Sequence, residues 1–331
     1  MTVGWGIIGI GKIADIAIAP AIAADEQSTL AAVCSRDPGR AKAFADKHGA
    51  AAGCDDYAEM LRDPSVDAVY IGSPNGLHAE HALAALEAGK HVLVDKPLAL
   101  DVADARAIVA AADAANVRLS TGFHLRHKAT ARAARDAIAA GRLGAVFYAE
   151  MACGAGKGLF PYDTWRADPK LSGGGTLLHQ GVHAVDLVAY LCDRPVVEVT
   201  AMTDKSGAED VFVGSCRLAD GTLANIASHS LRMGTRPDWT VFGTDGWLDA
   251  RGGTSPAPGD TLDLHDDDGT SRLATTTSAA YDAEVSDFAA AVASGQEPAA
   301  SGRDGLRAVA VAEALYRAAA QGRSVQVQII D

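Results

Sequence analysis

The chain has 331 residues, a formal net charge of −13 and 48% hydrophobic residues. That length points to two domains rather than one core, and the acidic balance argues against a nucleic-acid partner, which calls for a basic face. No apolar run approaches the ~20 residues of a membrane span, Lys12 and Asp15 interrupt the apolar start, and the five cysteines lack metal-finger spacing, so a reducing cytoplasm is the expected location.

Strand and helix signals alternate through the first third. Strands are expected at Val3 to Ile8, Leu30 to Cys34, Val66 to Ile71, His91 to Val94 and Arg118 to Thr121. Between them run helical patterns over Ile13 to Ala24 (strained by Pro20), Arg40 to Lys47, His78 to Ala88 and Asp101 to Ala115. Such alternation predicts a parallel, doubly wound sheet. After Phe123 the pattern changes. A helix over Thr130 to Ala140 precedes strand signals at Ala145 to Met151, Val196 to Thr203, Asp210 to Leu218, Thr222 to His229, Trp239 to Phe242, Trp247 to Asp249 and Thr261 to His265. Asp220-Gly221 and Asp245-Gly246 are hairpin turns. Helices are expected over Gly181 to Leu191, Tyr281 to Ala293 and Asp304 to Gln321, and a closing strand over Ser324 to Ile329. The fold class is α/β: a Rossmann domain over residues 1–122, then an α+β domain over 123–331 with a large open, mainly antiparallel sheet. That sheet's free face is expected to form a homodimer or homotetramer.

The stretch Gly9-Ile10-Gly11-Lys12-Ile13-Ala14 follows the first strand and opens the first helix. Two glycines allow a tight turn and close backbone approach, and amides at the helix start hold a pyrophosphate. The second strand ends in Ser35-Arg36-Asp37, where an NAD enzyme carries a carboxylate on the ribose. Arg36 and Arg40 suit a 2′-phosphate, so NADP is favoured over NAD; Asp37 on the ribose is the alternative.

Three stretches fall at strand C-termini, where such sheets bind ligands: Ser73-Pro74-Asn75 with His78, Asp95-Lys96-Pro97, and His124-Leu125-Arg126. Lys96 is placed to polarise a substrate oxygen, or is a solvated lysine beside a chain-turning proline. Near the second domain's GGG stretch, His179, His183 and Asp186 share one helical face. They are buried and hydrogen-bonded, or His183 is an acid/base tuned by His179, or the three bind a metal, although no further donor presents itself. Tyr162, Trp165 and Arg166 precede this stretch.

The segment SPNGLHAEHALAALEAGKHVLVDKPLAL, with GIGKIA, GFHLRHKATARAARDAIAAGRLGAV, WRADPKLSGGGTLLHQGVHAVD and VFGTDGWL, resembles the Gfo/Idh/MocA oxidoreductases, and the likeness runs through the whole chain. The resemblance implies hydride transfer between a nicotinamide and a sugar, cyclitol or related polyol. Lys96 contacts the reacting oxygen and His183 moves the proton. It implies that Gly9, Ile10, Gly11, Lys12, Ile13, Ser35, Arg36, Arg40, Ser73, Pro74, Asn75, His78, Asp95, Lys96, Trp165 and Arg166 border the cofactor. His124, Arg126, Tyr162, Trp165 and His179 then join Lys96 and His183 around the substrate, and no metal is needed. Family members commonly carry aspartate where this chain has His179; a protonated imidazole there lowers the pKa of His183 by like-charge repulsion. The same fold also serves as a dinucleotide- and sugar-sensing regulator without turnover, and this second class is kept open.

Overall fold

The computed structural model describes residues 2–154, 164–230 and 238–328. In the first unit, β1 (Val3–Ile8), β2 (Ser28–Cys34), β3 (Ala52–Cys54), β4 (Ala68–Ile71), β5 (His91–Val94) and β6 (Leu119–Thr121) form a six-stranded sheet in the order β3-β2-β1-β4-β5-β6. All neighbours run parallel. Every residue of β1 and β4 is buried, as strands covered by helices on both faces must be. This is the Rossmann order, and it reverses direction between β1 and β4. Ile8 pairs with Ile71, and Ile71 with Val94. The loops after β1, β4 and β5 therefore leave the sheet at one level, at the switch point.

The helices between these strands are α1 (Ala19–Ala24), α2 (Pro38–His48), α3 (Tyr57–Arg62), α4 (His78–Glu87) and α5 (Val102–Ala115). The single helix expected over Ile13 to Ala24 is instead a π turn, Ala14–Ile18, running into α1. Pro20 has no N–H for the carbonyl four residues back, and the wider turn absorbs the mismatch. Neither β3 nor α3 is apparent from the sequence, because three residues including Gly53 and a six-residue helix carry too little periodicity.

The second unit holds α6 (Ala129–Ala139), β7 (Val146–Gly154), α7 (Pro169–Ser172), a π turn (Leu177–Gly181) continuing as α8 (Val182–Cys192), β8 (Val196–Thr203), β9 (Val211–Leu218), β10 (Leu223–His229), β11 (Trp239–Gly243), β12 (Gly246–Arg251), β13 (Thr261–Asp266) and β14 (Gly269–Thr275). With β15 (Val325–Gln326) they make a nine-stranded sheet ordered β14-β13-β12-β11-β7-β10-β9-β8-β15. Only β7 and β10 pair in parallel among the described strands of this sheet. Burial alternates along β9 and β10, so one face is covered and the other open. On the covered face α8 lies against β7 and β10.

Two helices close the chain, α9 (Ala280–Ser294) and α10 (Gly302–Gln321). The sequence assigns all of 123–331 to one domain, yet Tyr281–Leu306 packs with the chain up to Gly122. The cause is an apolar stripe on α9. Val285, Phe288, Ala289 and Val292 share a core with Trp5, Ile18, Ile22 and Phe44, and the Trp5 and Phe288 rings lie 5.5 Å apart. Burying Phe288 and Val285 stabilises the unit by ~1.5–3 kcal/mol each.

Candidate active site

The turn after β1 separates its two glycines by task. Gly9 has φ +93°, and a Cβ there would stand 2.5 Å from the Ser73 nitrogen. Packing and backbone conformation both require glycine. At Gly11 an added Cβ would meet only the Gly72 oxygen, at 3.8 Å. The protein itself leaves room for a side chain there. Ala14 is buried where the third glycine of the fingerprint stands, while Lys12 is exposed. These residues fit a dinucleotide pyrophosphate at a helix start.

After β2, Ser35 is half-buried and Arg36 and Arg40 are exposed. The Asp37 carboxylate caps α2, accepting N–H groups from Gly39 at 2.9 Å and Arg40 at 3.1 Å. Its oxygen is thus used by the helix that follows.

In the loop after β5, Asp95 accepts the Lys96 N–H at 2.8 Å, and the Lys96-Pro97 peptide is cis. Burial first, and then the Asp95 charge, hold the Tyr70 hydroxyl protonated well above the usual phenol range. Glu284 of α9 is buried in the charge field of Asp95; burial first, and then the Asp95 charge, push its carboxyl well above the usual range. A neutral carboxyl at Glu284 avoids two like charges in a site closed to water. Nothing in the sequence around Glu284 marks it, because its neighbour lies in a distant loop. In the loop after β4, Ser73 and Asn75 are buried and Pro74 is half-buried. His78 is buried too, with both ring nitrogens on backbone carbonyls, which leaves neither for the cofactor contact expected of it.

In the second unit His183 sits in the first turn of α8, with the His124 ring edge-on at 4.6 Å and Phe123 at 6.3 Å. His179 lies in the π turn, and its ring neighbour is Trp165 at 5.8 Å. The Arg166 guanidinium stacks over that indole at 4.3 Å. The helix starts earlier than the expected Gly181, and the widened turn holds His179 and ends just before His183, a feature frequent at functional sites. Gly181 lets this turn rest on β10, since a Cβ there would stand 2.9 Å from Ser228 Oγ.

Asp186 pairs with Arg126. Its carboxylate takes Arg126 Nε at 2.9 and 3.1 Å and Nη2 at 2.6 Å. Arg126 is 6% exposed and bound into this pair. Among the described residues no three His, Cys, Asp or Glu side chains group as metal ligands. Tyr162 lies outside the described residues.

The GGG stretch has its explanation in Glu209, which sequence reasoning missed. Its buried carboxylate accepts the N–H of Gly175 at 2.9 Å and of Leu177 at 2.8 Å, and the Tyr316 hydroxyl donates to it at 3.1 Å. A Cβ on Gly174 would meet Tyr316 Oη at 2.2 Å, and one on Gly175 the Glu209 backbone oxygen at 2.0 Å. Glycine is therefore the residue that lets the start of the histidine helix be fastened from two other elements. The only local signal was the glycine run.

A model described as "Oxidoreductase family, NAD-binding Rossmann fold" matches residues 3–123, and the "GFO/IDH/MocA C-terminal domain" matches residues 131–249. The chain belongs to the Gfo/Idh/MocA oxidoreductase family. It is 34% identical to 1,5-anhydro-D-fructose reductase of Ensifer adhaerens, with 98% of each chain covered. It is 32% identical to D-xylose 1-dehydrogenase (NADP(+)) 2 of Haloferax volcanii, over 98% of this chain and 99% of the other. The crystal structure of aldose-aldose oxidoreductase from Caulobacter crescentus, complexed with glycerol, superposes with a TM-score of 0.91 at 29% identity, covering 99% and 100% of the two chains. As a Gfo/Idh/MocA protein, the chain carries the family's NAD-binding Rossmann domain. Of the residues the resemblance implies, Lys96 and the glycine turn lie in the first unit. His124, Trp165, Arg166, His179 and His183 lie in the second. No helix among the described residues is long and apolar enough to cross a membrane.

Proposed function

We propose that this Gfo/Idh/MocA protein moves a hydride between NADP(H) and a sugar, cyclitol or related polyol in the cytoplasm. The observation that carries the reading is the common level of the strand ends Ile8, Ile71 and Val94, which puts Lys96 on the same sheet edge as the Gly9–Gly11 turn. Two features favour NADP over NAD: no carboxylate stands at Ser35, and two exposed arginines follow it. The name of the Haloferax relative points the same way.

A nicotinamide, when bound, supplies or accepts the hydride. The protein's part is to hold it and to manage charge and proton at the substrate oxygen. Gly9 to Ile13 bind the pyrophosphate, with Ser73, Pro74 and Asn75 beside them. Ser35, Arg36 and Arg40 bind the ribose phosphate. The Lys96 ammonium stabilises negative charge developing on the oxygen, and the His183 imidazole takes or returns its proton. His124 is in ring contact with His183 and orients it, while His179, Trp165 and Arg166 receive the hydroxyl-rich end of the substrate.

A homodimer or homotetramer is proposed through the open face of the nine-stranded sheet. Tyr148, Phe242 and Trp247 stack across β7, β11 and β12, with the His265 ring of β13 continuing the row. Leu223, Val213 and Met202 are exposed on β10, β9 and β8. Such a patch is covered in a stable protein.

The test is the reduced-nicotinamide absorbance with NADP and NAD against a panel of sugars and inositols. Turnover with NADP, lost in Lys96→Met and His183→Asn, supports the enzyme. Tight dinucleotide binding with no turnover on any polyol overturns it in favour of the sensing regulator.

A further inference from the structure

His78 opens α4, and its side chain is 1% exposed. Nδ1 lies 2.7 Å from the Pro97 oxygen and Nε2 lies 2.9 Å from the Ser73 oxygen. Both partners are backbone carbonyls, which can only accept. A neutral imidazole owns one N–H, so one contact would set a nitrogen lone pair against an oxygen lone pair where water has no access. An imidazolium owns two N–H groups and satisfies both. The two carbonyls belong to different loops. Ser73 follows β4, and Pro97 is joined directly to Lys96 after β5. Ser73 is also pressed on the cofactor turn, since its nitrogen is the atom a Cβ on Gly9 would meet at 2.5 Å. Its hydroxyl is held from the other side by His81 Nδ1 at 2.9 Å.

We propose that His78 is a positioning residue for Lys96, acting as an imidazolium that bridges the carbonyls of Ser73 and Pro97 and so locks the loop carrying the lysine to the loop lying on the Gly9 turn. The chain of contacts Gly9, Ser73, His78, Pro97, Lys96 is continuous within one unit. The charged and titratable groups facing the ring are Asp95 and Lys96 in the loop after β5, and His81 one turn along α4. Burial works against the charge, is the largest single influence and on balance pulls the pKa of the ring below the ordinary imidazole value; the Lys96 ammonium adds a smaller push in the same direction. The two carbonyls and the Asp95 carboxylate work for it. Geometry decides between them: loss of the proton leaves an acceptor facing an acceptor in a closed site, and the bridge opens on one side. Lys96 then gains freedom relative to the cofactor turn. The inference rests on the reading of Lys96 as the group at the reacting oxygen.

Two measurements on the full chain test it. Nitrogen NMR of ¹⁵N-histidine-labelled protein, with His78 assigned through its bonds, is expected to show both ring nitrogens protonated at neutral pH. A single protonated nitrogen overturns the bridge, and this readout needs neither substrate nor variant. His78→Gln, whose single donor nitrogen cannot stand at both ring-nitrogen positions at once, is expected to lower kcat between about ten- and a hundredfold, as a small misplacement of a catalytic group does. The NADPH dissociation constant is expected to move less than about threefold. The wild-type rate should fall on the alkaline side in step with the NMR titration of His78, and the variant should lack that limb. An unchanged kcat in a folded His78→Gln, with wild type active, refutes the bridge and leaves the enzyme reading intact. A wild type inert toward every polyol, with His78 doubly protonated, refutes the enzyme reading and leaves the bridge standing.

Discussion

Arg126 and Asp186, sixty residues apart in sequence, are joined by bidentate hydrogen bonds of 2.6 to 3.1 Å with both side chains buried. The guanidinium also lies over the Tyr190 ring at 4.9 Å. This pair fastens the turn bearing His124 to the helix bearing His183. Removing one partner strands the other charge out of water. Asp186→Asn is expected to cost about 3–5 kcal/mol in urea unfolding. An apolar double replacement, Arg126→Met with Asp186→Leu, should cost less than either single change. Equal additive losses would mean the two charges do not act together.

The two glycines of the cofactor turn should fail differently. Gly9→Ala forces φ +93° on a side chain and drives a Cβ into the Ser73 backbone, so the fold loses stability. Gly11→Ala meets nothing closer than 3.8 Å, so the melting temperature stays near that of wild type. Its NADPH affinity should drop about tenfold or more, because the added methyl occupies the approach of the pyrophosphate. Thermal unfolding and nucleotide fluorescence titration, run on both variants, separate the effects.

Acid should weaken the protein through rings buried in neutral form. Burial, with smaller contributions from Arg132 and Arg126, lowers the pKa of His127 to about 3. In the unfolded chain the same ring takes a proton near pH 6.5. Between those values the unfolded state binds more protons, so stability declines as pH falls below about 6.5, by up to ~1.4 kcal/mol per pH unit for this ring. Above that pH its contribution is flat. Burial pulls His81 and His91 in the same direction. Urea midpoints followed from neutral pH downward should slope less in His127→Asn than in wild type.

Cofactor choice should reside in Arg36 and Arg40. Replacing both with alanine is expected to raise the NADP dissociation constant about tenfold or more while leaving that for NAD within about threefold, since only the former carries the 2′-phosphate. Ser35→Asp in that background should favour NAD. Parallel titrations with the two nucleotides give the ratio directly.

What could be read from residues alone follows from distance along the chain. The Gly9–Ala14 fingerprint and the alternating strands are local signals, and they announce the parallel sheet and its ligand edge without help from tertiary structure. Pro20 was a local warning as well, and a π turn is how the chain answered it. Arg126 and Asp186 were each visible as functional candidates, but their mutual attraction was not, because nothing in either neighbourhood names the other. Glu209 shows the same limit, since three glycines advertised a tight approach without saying what approaches. His78 looked like a cofactor contact because it follows a strand-end loop; its two carbonyl partners come from backbone whose path no side-chain pattern reveals.

The return of α9 to the sheet of the first unit bears on how the polypeptide is made. A nascent chain that has emerged only as far as Gly122 still lacks Phe288 and Val292, and the Trp5 side of its sheet stays wet until a ribosome has added more than half of what remains. Completion of the nucleotide-binding half is thereby deferred until residues 123–280 have been synthesised, and a gene fragment ending at that apparent boundary would encode an unfinished core.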